Sequence, residues 1–449
     1  MDQRIEKMIS YAHGLTYEDL TDEVVGRAKQ LVLDTIGCAL GAAQSPPARI
    51  VRSVASKVTS STSATVMVSG ARTTPDMAAF ANGVMARYLD WNDGYFGLHG
   101  GGHPSDMLAP TLAAVEAVRG GGKEVILGLA LGYEIQCGLA DAGGMDVKIG
   151  GNQTLDGAMG AVVLGSRILG LDREQTAHAI NLAIAACRPL GQQSRGQLSH
   201  WKEAHVANGS RNGIFFAMMA AEGLTGPEFV FDEPTQLLPF GGEGRGFRIM
   251  EAGVKHFPAG YFSQSAIEAM QDLRPQVRRL EDIKAIRLQT FPNGFNAMGS
   301  DPSRWRPGNH ETADHSLPFV MAVALMEGDL TTRHYDQEYY LRPDVRAVMD
   351  KITIRVGEEC IQAWPDQSLN IVDVELKSGE VLGTRVGLPL GHHKHPMTDA
   401  DLEHKFRPMA EDYGKLPSGQ VDRLLNRLRH LEEVQDISEV LRLTVGPSN

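Results

Sequence analysis

The chain has 449 residues, more than one ordinary hydrophobic core organises, so two domains are expected; 42% hydrophobic and 6% aromatic residues suit a soluble globular protein. A net charge of −12 argues against a nucleic-acid or anionic-membrane binder, which needs a basic face, but leaves room for an anionic small molecule in a locally basic cleft. No stretch approaches the roughly 20 uninterrupted apolar residues of a membrane span, and residues 1–7 mix both charge signs with no apolar run behind them, so neither a span nor a secretory signal is expected and cytoplasmic residence is.

The first half reads as helix after helix. Asp22-Glu23 opens a segment through Ala43 with Val25, Ala28, Leu31, Val32, Ile36 and Leu40 on one face, and residues 75–89 and 123–140 repeat the habit. Between 89 and 107 the pattern breaks. Asp90, Asp93, His99, His103 and Asp106 crowd a segment in which Asp93-Gly94 is turn chemistry and Gly100, Gly101 and Gly102 cannot sustain a helix. Helix resumes over 107–118, with Ser105 or Asp106 as its cap. Carboxylates and imidazoles held between two buried helices have the composition of an active-site loop.

Small residues dominate 158–165 and 179–186, which lets helices approach closely in a bundle. Residues 199–213 then carry Lys202 and Arg211, candidate holders of a carboxylate, ahead of an apolar helix over 214–222. In residues 254–266, Lys255 and Gln264 could reach a cleft between domains. After about residue 270 the texture changes: Ile286-Arg287-Leu288, 352–356 and 372–376 alternate with period two, and Ser378-Gly379 is a hairpin turn. Helices are predicted over 315–326 and 343–349, with Thr312 or Asp314 as a cap and His315 able to pair with an acid. The run 391–399 has a metal tract's composition without its spacing, and Cys38, Cys137, Cys187 and Cys360 contain no CxxC, so they read as buried thiols. The glycines of 241–246 lack the strand-loop-helix context of a nucleotide loop. Helix returns from Asp399 to His430. The fold class is thus mainly α with an α+β insert, a helical domain over 1–265 and 396–449 and a mixed lid domain over 266–395.

Arg87-Tyr88-Leu89-Asp90-Trp91-Asn92-Asp93, His103-Pro104-Ser105-Asp106, residues 257–266, Ala313-Asp314-His315-Ser316-Leu317-Pro318, and 395–399 through Lys405-Phe406-Arg407 occur in the order of the successive signatures of the MmgE/PrpD family. The chain resembles that family over nearly its whole length. The resemblance implies a homodimer without a metal or other cofactor, acting on a small polycarboxylate, as do the family's 2-methylcitrate dehydratases, cis-aconitate decarboxylases and iminodisuccinate epimerases. It also implies that Asp93, His103, Lys202 and Lys255 are the catalytic positions. Gln153 stands where many members have a histidine, and a neutral amide can bind a carboxylate but not move a proton. Gly97 leaves no hydroxyl where some decarboxylase-like members have a threonine.

The expected chemistry is α-proton abstraction and elimination, with His103 as base and Asp93 either orienting it or supplying the acid. Lys202, Lys255 and Arg211 would hold carboxylates, and Gln153, His99 and Gln264 would bind substrate. An epimerase or decarboxylase using the same pocket is the alternative, and a non-catalytic helical scaffold is another.

Overall fold

A computed structural model describes residues 2–97, 99–143, 153–187, 196–228, 237 and 239–446. Helices Asp22–Gly41, Pro75–Tyr88, Gly122–Asp141, Gln153–Ile168 and Arg173–Ala186 lie where the periodicity puts them. The structure departs from the reading at residue 201, where a single helix already begins and runs through Ala221, taking in the Gly209-Ser210-Arg211-Asn212-Gly213 stretch. Glycine disfavours an isolated helix, but packing outweighs that here. A Cβ on Gly213 would sit 2.7 Å from the Val162 backbone nitrogen and 2.8 Å from the Ala158 carbonyl. The glycines therefore let Trp201–Ala221 lie directly against Gln153–Ile168. Residue 209 faces 154 and 213 faces 158–162, so the two helices run parallel and start at the same end.

Among the described residues two large hydrophobic cores form, with a small cluster of Phe291, Cys360 and Leu369 beside the second. One gathers residues from Ile5 to Val254 and again from Met397 to Leu441. The other gathers residues from Phe257 to Val386. The second core backs a four-stranded sheet in the order Ile352–Val356, Ile283–Thr290, Asn370–Leu376, Val381–Val386, with the first pair parallel and the others antiparallel. Gly379 turns the last hairpin with φ +93°, as Ser378-Gly379 predicts. The expected helix over 399–430 is split into Asp399–Pro408 and Ser418–Arg429 by a widened turn at Met409–Tyr413, because Pro408 and Pro417 cannot continue the backbone ladder. All four cysteines are buried free thiols. No helix among the described residues is long and apolar enough to cross a membrane.

Candidate active site

The 89–107 segment is more ordered than a glycine-loosened loop. Asp93–Phe96 is the middle strand of a small sheet, flanked by Gly101–Gly102 and Gly253–Val254. This sheet delivers His103 and Lys255, each the residue next after an edge strand. Helix Pro75–Tyr88 stops just before it, and Asp90 follows with φ +48°, a left-handed conformation that aspartate tolerates better than most residues. From the C-terminal segment, the Lys405 ammonium donates to the carbonyls of Trp91 (2.6 Å) and Lys255 (2.9 Å) and pairs with buried Asp34 at 2.5 Å. Helix Asp399–Pro408, which carries Lys405, therefore ties the residues at both sides of the small sheet.

His103 is buried, and its Nδ1 lies 2.6 Å from the Asp93 carbonyl oxygen. A carbonyl can only accept, so Nδ1 carries the proton and Nε2 offers a lone pair. Burial, then Arg87 and Lys255, hold the imidazole well below its ordinary range, which keeps it neutral. The Asp93 carboxylate faces elsewhere. It accepts from the Tyr133 hydroxyl (2.7 Å) and the Ser105 amide (3.1 Å), and burial raises its pKa. Of the two roles expected for Asp93, the geometry offers orientation of His103, through the main chain. Ser105 and Asp106 are not the helix cap: the Ser105 hydroxyl accepts from Asn92 (2.8 Å), and Asp106 lies 3.3 Å from the Arg87 guanidinium. Both lie in the short turn Pro104–Met107 that precedes the helix Leu108–Ala117.

Two buried ion pairs lie beside the imidazole. Lys255 donates to the Asp90 carboxylate and carbonyl, both at 2.7 Å, and Lys202 pairs with Asp314. Burial pushes Asp90 up, but Lys255, then His315 and Lys202, outweigh it and hold the carboxyl well below the usual range. His315 Nδ1 lies 2.6 Å from the Asp314 carboxylate and 3.6 Å from that of Asp90. Neither Thr312 nor Asp314 caps the following helix; Ser316 does, accepting from the Phe319 amide. Asp90, Asp314 and His315 have ligand atoms within 4.8 Å of one another, close enough for a cation. Lys202 and Lys255 each take one oxygen of a carboxylate, and the other oxygen of each faces His315.

Of these groups, His103, Lys202 and His315 border a cavity of about 440 Å³ lined from around both cores, with Arg87, Gln153, His205 and Arg304 also in its wall. Its lining includes three cations, Arg87, Lys202 and Arg304, against one carboxylate, Asp301, although the chain is acidic. The parallel helices Gln153–Ile168 and Trp201–Ala221 begin here, and a hydrogen bond between Thr154 and His205 (2.9 Å) joins them near their starts. Their positive dipole ends favour an anion. The family-type turn ahead of Gln153, at Gly151 and Asn152, lies outside the described residues.

Several predicted residues are placed elsewhere. Lys255 lies behind the lining, fully buried on Asp90. Arg211 points from a different helix face to Asp76, 3.3 Å away, and is not a lining residue. Gln264 is buried and spends its amide on the main chain of Phe257 (2.9 and 3.0 Å) and Ala259 (3.2 Å), so it shapes the 257–264 turn and does not meet the cavity. His99 borders a separate space of about 550 Å³ with His392 and His393, divided from the first by Phe96 and Tyr261, which line both. Sequence reading did not place Arg87, His205 or Arg304 in the site. His205 was detectable, since it follows Lys202 by three residues on one helix and so shares its face; Arg304 has no local signal.

Comparison with known proteins agrees with this architecture. The MmgE/PrpD N-terminal domain model matches residues 6–249 and the MmgE/PrpD C-terminal domain model residues 257–430. The chain is 26% identical to the cis-aconitate decarboxylase of Homo sapiens, over 99% of this chain and 95% of that protein. It is 26% identical to the mitochondrial 2-methylcitrate dehydratase of Yarrowia lipolytica (99% and 90%) and 24% identical to the 2-methylcitrate dehydratase of Salmonella typhimurium (87% and 86%). The two matches together span nearly all of the folded chain, and their junction falls at 249–257, where one hydrophobic core gives way to the other. The chain belongs to the MmgE/PrpD family.

Proposed function

We propose that the protein is a metal-independent lyase that removes an α-proton from a small di- or tricarboxylate and eliminates water, in the manner of a 2-methylcitrate dehydratase. The observation that carries the reading is a neutral His103, its Nδ1–H fixed by the Asp93 carbonyl, at the wall of a cavity that also presents Arg87 and Lys202. A carboxylate seated near Lys202, Arg87 and the two helix ends withdraws electron density from its α-carbon and steadies the enolate-like charge as the proton leaves. Nε2 of His103 takes that proton. Lys255, bonded to Asp90, holds the strained turn that precedes the small sheet. The names of the similar dehydratases support the substrate class.

A decarboxylase in the same cavity is the second reading, favoured by similarity to the human cis-aconitate decarboxylase along nearly the whole chain. The test is a panel of 2-methylcitrate, citrate, cis-aconitate and iminodisuccinate assayed with and without a chelator. Dehydration creates conjugated-alkene absorbance, decarboxylation releases carbon dioxide and epimerisation changes only chirality. Alkene formation from a hydroxylated tricarboxylate, unchanged by chelator, is the expected result; turnover abolished by chelator and restored by a metal contradicts the metal-independent mechanism.

A further inference from the structure

We propose that His315 is the proton donor of the elimination, partnering His103 as base; the assignment rests on the lyase reading above. Both histidines line the same cavity, and both have Nδ1 committed to an oxygen acceptor, which fixes the tautomer and leaves Nε2 to face a reacting group. The acceptors differ in charge. His103 leans on a neutral carbonyl, whereas His315 leans on the Asp314 carboxylate at 2.6 Å with the Asp90 carboxylate at 3.6 Å. A protonated ring at 103 has no counter-charge in its own hydrogen bond; at 315 it has one. The Asp90 oxygen facing His315 has no hydrogen-bond partner, so this second carboxylate adds charge there.

The position is also rigid. The Gly260 amide donates to the Asp314 carbonyl (2.9 Å), Lys202 holds the Asp314 carboxylate, and Ser316 caps the helix that begins directly after. Asp93, the other candidate acid, has one carboxylate oxygen on the Ser105 amide and the other on the Tyr133 hydroxyl, and it does not line the cavity. In the step assigned here, His103 Nε2 takes the α-proton and the C–H electron pair stays on the α-carbon as an enolate-like charge. As the C–O bond breaks with its own pair on oxygen, the α-carbon pair becomes the new C=C bond, and the departing oxygen receives the proton of His315 Nε2 and leaves as water. One proton is gained at 103 and one lost at 315, and exchange with solvent restores both without any redox change.

The experiment compares wild type, His315→Gln and His103→Gln on 2-methylcitrate in D2O, following alkene formation by absorbance and deuterium at the reacting carbon of recovered substrate by mass spectrometry. Loss of the acid should slow elimination on the order of 100-fold or more in His315→Gln, while proton abstraction continues and deuterium still enters the substrate. That retained exchange also shows a folded site. His103→Gln should lose both signals. Elimination in His315→Gln at the wild-type rate overturns the assignment, as does loss of exchange together with elimination. Absence of turnover in wild type overturns the dehydratase reading itself and with it this role.

Discussion

In the proposed mechanism His103 sets the acid side of the pH profile. Because burial, Arg87 and Lys255 keep its folded pKa well below 6.5, the base stays unprotonated in mild acid. The acid limb of kcat/KM should therefore fall below pH 6.5; a limb above that value, assigned to His103 by its loss in a variant, would contradict the environment described. The same shift acts on stability. His103, His205 (lowered to about 3, by burial first) and His310 (lowered to about 4, likewise) all resist protonation in the folded chain. Between pH 6.5 and those lower values the unfolded state binds more protons, so stability is full above 6.5 and declines as pH drops through this window. Denaturant melts across pH 4–8 measure this.

Lys255 belongs to the same scale. Its ammonium and the Asp90 carboxylate are both buried, so Lys255→Met leaves a charge without its partner. A loss of about 3–5 kcal/mol in unfolding free energy is expected, with partial recovery when Asp90→Asn is added. Equal stability of Lys255→Met and wild type would refute the pairing. His315 and Asp314 were visible in sequence as a polar pair at a helix start. Their connection to Lys202 and Asp90 was not, since it spans elements far apart in the chain and no local spacing encodes it.

At the scale of elements, the decisive contact is the parallel packing of Gln153–Ile168 on Trp201–Ala221. Gly213→Ala would drive a methyl group into the main chain of Val162 and Ala158, which cannot move aside as a side-chain tip can. Overpacking of this kind costs typically 1–3 kcal/mol. Because the two helices begin at the cavity, activity should drop along with stability, a result checked by pairing a melt with a turnover assay. The same pairing explains what sequence reading could and could not see. Apolar periodicity announces the buried helices and the period-two strands of the insert. A run such as Gly209-Ser210-Arg211-Asn212-Gly213 has loop propensity, and only the neighbouring helix makes it helical. Gln264 misled for a related reason: a polar residue in a motif resembles a ligand contact, while its amide in fact closes the turn on Phe257 and Ala259.

At the scale of the whole molecule, an acidic chain builds a basic cavity from both of its cores. Neither Arg87 and His103 on one side nor Arg304 and His315 on the other forms the lining alone. Ligand binding should accordingly stabilise the folded chain, by about 2.7 kcal/mol at a polycarboxylate concentration one hundred times Kd. The fold class, mainly α with a small mixed insert, was legible because apolar periodicity separates helix from strand. No local spacing in the sequence encodes how Asp93 meets His103: its carbonyl faces the imidazole, and its carboxylate turns away to Tyr133. The most direct measurement is the turnover of 2-methylcitrate by wild type and His103→Gln at saturating substrate. Turnover should fall in the variant by about 100-fold or more, with ligand-induced thermal stabilisation retained. Wild-type turnover in His103→Gln would contradict the assignment of the base.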